Sequence, residues 1–103
     1  IHVSDLIGAH ALALAHLRSG GDSSIFNCGY GHGFSVRQVA QAVERAAGVR
    51  LTVKELPGRA GDPSGIVSNP AKLKAALGWK PQHDSLDEIV TSALAWERRL
   101  NSV

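Results

Sequence analysis

The chain has 103 residues, 44% hydrophobic and 19% charged, a composition typical of one small globular domain. Its net charge is +2, and its basic residues are scattered along the sequence, which argues against nucleic-acid binding. Its single cysteine excludes an internal disulfide framework. The apolar runs are shorter than the ~20 residues that a membrane helix needs, and no secretory signal pattern is present. We therefore expect a cytoplasmic protein that contacts no membrane and, because the chain has no Met, one cut from a longer sequence.

The chain opens with a predicted strand end and a helix. Residues 1–3 are apolar, and either Ser4 or Asp5 could cap the helix that follows, since both side chains can accept hydrogen bonds from free backbone N–H groups. Apolar residues then recur at helical spacing over about three turns. We expect Gly20 and Gly21 to end this helix.

A buried strand and a second helix follow. Residues 24–28 form a short apolar run that is typical of a buried strand, and residues 29–33 must then make a tight loop. Ser35 and Gln38 have the spacing of a capping box, in which each side chain bonds the other residue's backbone N–H. Gly48 is expected to end the second helix.

The middle of the chain predicts two further strands around an irregular loop. Residues 51–56 alternate between apolar and polar, as expected of a half-buried strand. Residues 57–65 contain too many Pro and Gly for regular structure, and residues 66–68 could add a short strand.

Two helices complete the pattern. Asn69 followed by Pro70 favours a helix start, and Gly78 a helix end. Ser85 and Glu88 predict a second capping box at the start of the last helix. The sequence thus predicts an α/β fold of mixed type, with short strands packed against about four helices.

Several patterns imitate functional sites but fail in detail. The glycine frame that begins at Gly29 resembles a dinucleotide-binding turn, yet Phe34 stands where its third glycine should be. His10 and His16 lie on different sides of a helix, and no cysteine or carboxylate cluster completes a metal shell, so no metal site is predicted. Cys28 lies in an apolar run and is expected to be an unreactive thiol.

One loop does present suitable chemistry. In residues 58–63, glycines and a proline constrain the backbone, while Arg59 and Asp62 are offered three residues apart. A guanidinium can bind phosphate oxygens with two hydrogen bonds, and a carboxylate can accept from sugar hydroxyls, so the pair suits a nucleotide diphosphate. A simple surface ion pair within a turn explains the same spacing.

The sequence also carries a family resemblance. Four pieces occur in order: IHVSDL, SIFNCGYGHGFSVRQV, PGRAGDP, and NPAKLKAALGWKP followed by LAWERRL. Together they resemble the C-terminal part of UDP-glucose 4-epimerases, which belong to the extended short-chain dehydrogenase/reductase superfamily. The resemblance implies that residues 1–103 form the C-terminal substrate-binding domain, with the N-terminal Rossmann domain, and the NAD bound to it, outside this chain.

The resemblance also assigns roles to residues. Arg59 would contact the diphosphate and Asp62 the ribose of a UDP-sugar. The family's catalytic tyrosine is followed four positions later by a lysine, whereas Tyr30 is followed there by Phe34, so the resemblance implies no catalytic residue in this chain. The full-length enzyme would be a homodimer. Two alternatives stay open: another nucleotide-sugar enzyme of the superfamily, such as a dehydratase, decarboxylase or reductase, and a non-enzymatic nucleotide-binding or interaction module.

Overall fold

The protein is described by a computed structural model covering residues 1–102. It contains four α-helices, which are α1 (Val3–Arg18), α2 (Val36–Ala47), α3 (Ala71–Leu77) and α4 (Leu86–Asn101). All four helices predicted from the sequence are present, in the expected order. Extended and irregular segments connect them.

The glycine and capping signals set several helix ends as predicted. At the start of α2, Ser35 Oγ accepts from Gln38 N at 3.1 Å, and Gln38 Oε1 accepts from Ser35 N at 2.7 Å, which completes the capping box. Gly48 and Gly78 end α2 and α3 with φ of 69° and 67°. Only glycine adopts this left-handed conformation without strain, which explains both helix ends.

The predicted cap of α1 is wrong. The helix begins two or three residues earlier than a cap at Ser4 or Asp5 would allow, and its cap is His2, whose Nδ1 accepts from Ser4 N at 3.0 Å. Asp5 is inside the first turn, where its carboxylate takes hydrogen bonds from distant residues. Such tertiary contacts override a local preference for capping.

Only one of the two hydrogen bonds of the second predicted capping box forms. Ser85 Oγ accepts from Glu88 N at 3.3 Å, as predicted. The Glu88 carboxylate contacts the His83 ring, while Ser85 N donates to the His83 carbonyl oxygen at 2.8 Å. A nearby imidazole therefore replaces the backbone partner of Glu88.

The predicted short strands are wrong for residues 1–102, in which no strand is assigned. Within that range, no backbone-to-backbone hydrogen bond joins residues 24–28, 51–56 or 66–68 to one another. A strand requires a paired neighbour for its N–H and C=O groups. Ile25 and Ile66 are 85% and 80% exposed, so the apolar side chains that predicted burial have nothing to cover them here.

The helices pack as two pairs. α1 contacts α3, and α2 contacts α4. The core at the first pair consists of Ala9, Leu73 and Trp79, with Leu12, Phe26, Cys28, Tyr30 and Leu77 packed around it. In the second pair, Ala42 of α2 and Val90 of α4 are buried.

The molecule is open for its size. Its radius of gyration is 16.9 Å, whereas a compact domain of this length has about 13 Å. Its accessible surface is 8014 Å², against roughly 5,500 Å² for a compact monomer of the same mass. Much of the apolar surface that the sequence would place in a core is therefore exposed.

Candidate functional site

The Arg59–Asp62 loop is a tight exposed turn. Asp62 N donates to Arg59 O at 3.2 Å, and Gly61 has a φ of 85°, which favours glycine at that position. Arg59 Nε donates to Asp62 Oδ2 at 3.0 Å, and the two side chains are 87% and 48% exposed. The structure therefore brings the two predicted site residues together, and it does so as the surface ion pair that the spacing also allowed.

This pair lies apart from two clefts of the surface. A groove of about 650 Å³ runs between α2 and residues 53–56, and its lining includes Arg37 and Glu55, which form an ion pair of their own. A smaller cleft of about 380 Å³ is lined by residues of the 28–34 segment, the 66–68 segment and α4. Neither Arg59 nor Asp62 lines either of these two clefts.

The exposed ion pair leaves the guanidinium available. A guanidinium has five N–H donors, and the hydrogen bond to Asp62 engages Nε. Ion pairs between exposed side chains contribute only about 0.2–1 kcal/mol, because water solvates both partners. A phosphate could therefore displace Asp62 from Arg59 at small cost.

A buried carboxylate that the sequence analysis missed organises the other end of the molecule. Asp5 is 5% exposed, and its carboxylate accepts from Tyr30 OH at 2.6 Å, Gln82 N at 2.9 Å and His83 N at 3.0 Å. Its carbonyl oxygen accepts from Trp79 Nε1 at 3.0 Å. The sequence does carry a signal for the burial of Asp5. Asp5 precedes the core residue Ala9 by four positions, so the two residues share one face of the helix.

These hydrogen bonds shift the ionisation of both acidic partners. Burial alone would raise the pKa of Asp5, but the hydrogen bonds from Gln82, Tyr30 and His83 outweigh it and hold that pKa below its ordinary value. Burial and the hydrogen bond to Asp5 raise the pKa of Tyr30 to about 12. Tyr30 therefore stays protonated at neutral pH and acts as a hydrogen-bond donor within the fold.

One cluster has the composition of a metal site but not its geometry. Ligand atoms of His2, His83 and Glu88 all lie within 4.8 Å of one another. However, the two imidazole rings stack with centroids 4.5 Å apart, so their in-plane lone pairs do not converge on one point. His2 Nδ1 also already accepts from Ser4 N. These three residues are therefore better described as a hydrogen-bonded cluster than as a metal shell.

The contact between His2 and Ser92 is likewise not a nucleophilic pair. Ser92 Oγ donates to Ile89 O at 2.9 Å and lies 3.1 Å from His2 Nε2. Because Nδ1 of His2 is an acceptor, the hydrogen is assigned to Nε2, which donates to Ser92. A histidine acting as a base would have to accept the serine proton instead.

Cys28 is half-buried beside the core. Burial, together with the negative charge of Asp5, raises the pKa of its thiol above the ordinary value. Since the thiolate is the reactive form, this environment suits the unreactive role expected from the sequence.

Nearly the whole length of this chain is similar to known proteins. No protein-family model matches it. A UDP-glucose 4-epimerase of Azospirillum brasilense is 51% identical over 100 residues, which are 97% of this chain and 29% of that protein. The chain matches the C-terminal part of UDP-glucose 4-epimerases.

Solved structures of these epimerases have the same fold over this region. The UDP-Glc/GlcNAc 4-epimerase of Campylobacter jejuni superposes with a TM-score of 0.85 at 43% identity, covering 96% of this chain and 30% of that one. The UDP-glucose 4-epimerase of Stenotrophomonas maltophila superposes with a TM-score of 0.89 at 36% identity, covering 99% and 30%. The latter was solved with bound NAD and formylated UDP-arabinopyranose.

The match to these epimerases is partial in length. The chain spans about 30% of the length of the epimerases that it matches.

No helix in residues 1–102 is both long and apolar enough to cross a membrane.

Proposed function

We propose that residues 1–103 are the C-terminal substrate-binding domain of a UDP-glucose 4-epimerase, an NAD-dependent isomerase that interconverts UDP-glucose and UDP-galactose. The observation that carries this proposal is the 51% identity to the Azospirillum brasilense epimerase over 97% of the chain. NAD and the catalytic residues belong to an N-terminal Rossmann domain outside these residues. In such an enzyme, NAD supplies a hydride acceptor for C4 of the sugar.

Within this domain, we assign Arg59 to the diphosphate of the UDP-sugar and Asp62 to the nucleotide ribose. The guanidinium would exchange its bond to Asp62 for a phosphate oxygen, and the freed carboxylate would accept from ribose hydroxyls. Support comes from the 87% exposure of Arg59 and from the small cost of opening an exposed ion pair. The loop must also be joined by other groups of the enzyme, since it lines neither of the two clefts described above.

The epimerase reaction requires the hexose and the nucleotide of the substrate to be bound differently. A 4-epimerase must turn its 4-keto intermediate so that the hydride returns to the opposite face of the ring. The hexose must therefore be held loosely and the nucleotide firmly, which makes contacts to the diphosphate nearly equal in the ground and transition states.

The test is an activity assay on the full-length parent protein with UDP-galactose, monitored by sugar analysis of the product. Formation of UDP-glucose is expected, with none from the 103-residue chain alone. Release of water with formation of a 4-keto-6-deoxy sugar would identify a dehydratase, and loss of CO₂ from a UDP-uronic acid would identify a decarboxylase. If the chain alone bound UDP tightly while the parent lacked activity, a non-enzymatic nucleotide-binding module would be favoured.

We also propose that the parent enzyme is a cytoplasmic homodimer. Light scattering on the purified full-length protein measures its mass directly. A monomeric mass at micromolar concentration would contradict this assignment.

A further inference from the structure

The loop of residues 57–65 makes hydrogen bonds only within itself in the described range 1–102. Asp62 N donates to Arg59 O, and Arg59 Nε donates to Asp62 Oδ2 at 3.0 Å. The second of these is the Arg59–Asp62 ion pair, in which both side chains are exposed. This ion pair is therefore the side-chain contact that a ligand of the loop has to compete with.

The ion pair engages both groups that the proposed function assigns to the substrate. Arg59 Nε is one of the donors with which a guanidinium binds two oxygens of a phosphate, and Asp62 Oδ2 is an acceptor suited to a ribose hydroxyl. We propose that this ion pair makes the loop selective for ligands that carry a diphosphate and a ribose together, over ligands that carry only one of the two. The proposal rests on the roles assigned to Arg59 and Asp62 under the proposed function.

The selectivity follows from how many partners each ligand replaces. A diphosphate alone separates the ion pair and leaves the Asp62 carboxylate without its cation. A ribose alone leaves the Arg59 guanidinium without its anion. A nucleoside diphosphate separates the pair once and gives each side chain a new partner. The ion pair therefore weakens the binding of either fragment more than it weakens the binding of the complete nucleotide.

The free part of the guanidinium does not remove this competition. The two Nη groups of Arg59 make no hydrogen bond within residues 1–102, so a phosphate can meet them first. That phosphate then lies close to the carboxylate of Asp62, and repulsion between the two anions favours separation of Asp62 from Arg59. Because water screens an exposed ion pair, the effect on affinity is limited to a few-fold.

The experiment measures the dissociation constants of uridine and UDP for the full-length parent protein by ligand-observed NMR. Uridine carries the ribose without phosphate, and it is uncharged, so removal of a distant cation does not affect it. In Arg59→Ala the Asp62 carboxylate has no internal partner. We expect uridine to bind this variant about two- to fivefold more tightly, the effect of an exposed ion pair. UDP should bind it about 10- to 100-fold more weakly, because the diphosphate contact is lost.

Asp62→Ala provides the reverse test with inorganic pyrophosphate, which carries a diphosphate without a ribose. Pyrophosphate should bind this variant about two- to fivefold more tightly, whereas UDP should bind more weakly because the ribose contact is lost. Arg37→Ala and Glu55→Ala are matched controls, since these residues form an exposed ion pair outside the loop. Neither control should change the affinity for uridine, pyrophosphate or UDP.

The proposal requires opposite changes for the fragment and for the nucleotide. It is overturned if uridine does not bind Arg59→Ala more tightly, or pyrophosphate does not bind Asp62→Ala more tightly, including the case in which no fragment binding is measurable. If UDP affinity falls while fragment affinity does not rise, the assigned contacts stand and the selectivity is wrong. If UDP binds both variants as tightly as the unmodified protein, the assigned contacts are wrong as well.

Discussion

At the scale of single residues, Asp5 is the most consequential side chain of the described structure. Its carboxylate is buried and takes hydrogen bonds from residues 25, 77 and 78 positions away. Asp5→Asn would keep the size of the side chain but present an NH₂ group where an acceptor is needed. Because it leaves buried donors unpaired, we expect a loss of about 2–4 kcal/mol in the free energy of unfolding, measured by urea denaturation.

The same carboxylate predicts a pH dependence. The pKa of Asp5 is lower in the folded chain than its ordinary value of 3.8, so its contribution is fully present above that value and is lost as the pH falls through the folded pKa. Asp87→Asn is a suitable control, because Asp87 is 69% exposed in a surface pair with Arg45. Equal stability losses in the two variants would show that the Asp5 hydrogen bonds contribute little.

Arg59 tests the proposed contact with the substrate. In the full-length enzyme, Arg59→Ala removes a charged hydrogen-bond donor that would bind the ground and transition states alike. We expect KM for the UDP-sugar to rise about 10- to 100-fold, the effect of losing 1.5–3 kcal/mol, with kcat changed far less. Steady-state kinetics measure both constants.

Arg50→Ala is the matched control for Arg59. Arg50 is also exposed but lies outside the loop of residues 58–63, so its removal should leave KM unchanged. A large fall in kcat at constant KM in Arg59→Ala would count against a role in uniform binding. The assignment of Arg59 would then have to be withdrawn.

At the scale of elements, glycine positions determine how closely segments approach. A Cβ added at Gly29 would lie 2.7 Å from Ser68 Cβ, whereas one added at Gly8, inside α1, meets nothing within 4 Å. Gly29→Ala should therefore force residues 24–29 away from residues 66–68 and destabilise the fold by about 1–3 kcal/mol. Gly8→Ala should stabilise it by up to about 1 kcal/mol.

The two glycine variants can be compared by thermal unfolding. Combining Gly29→Ala with Ser68→Gly removes the colliding Cβ and should restore part of the loss. If the single Gly29 variant is as stable as the Gly8 variant, residues 24–29 and 66–68 are not held close together in solution.

The loop before α4 provides a second pH-dependent element. The hydrogen bond to Glu88 raises the pKa of His83, so the contribution of this contact is present below the ordinary histidine value of 6.5 and is lost as the pH rises through the folded pKa. Glu88→Gln should lower the pKa of His83 towards the ordinary value. NMR titration of the His83 ring measures this directly, and an unchanged midpoint would exclude Glu88 as the cause.

The elements also show what could be predicted from sequence. Gly48, Gly78 and the Ser35–Gln38 box act within one turn, so local spacing was sufficient to locate the helix ends. Residues 24–28 and 66–68 have the composition of strands, but pairing is a property of neighbours and not of the segment. Similarly, the spacing of Arg59 and Asp62 predicted that they could meet, whereas the position of a cleft depends on the rest of the fold.

At the scale of the whole molecule, the exposed surface is about 2,500 Å² larger than expected for a compact monomer of this mass. Its apolar part includes Val3, Ile7, Leu14 and Leu17 on α1 and Trp96 on α4, all at least half exposed. An interface of about 2,500 Å² would be large enough for a stable protein–protein contact. We therefore expect the stability of these residues to depend strongly on whatever covers them in the parent protein.

The two tryptophans of the chain differ sharply in environment, since Trp79 is 3% exposed and Trp96 is 56% exposed. Trp79 donates to the carbonyl oxygen of Asp5, so its indole joins α1 to the loop before α4. A chain carrying Trp96→Phe would thus keep a single tryptophan, Trp79, next to the loop that carries His83, whose pKa is raised by its hydrogen bond to Glu88. A shift of its emission to longer wavelength would report the separation of this junction, without any label.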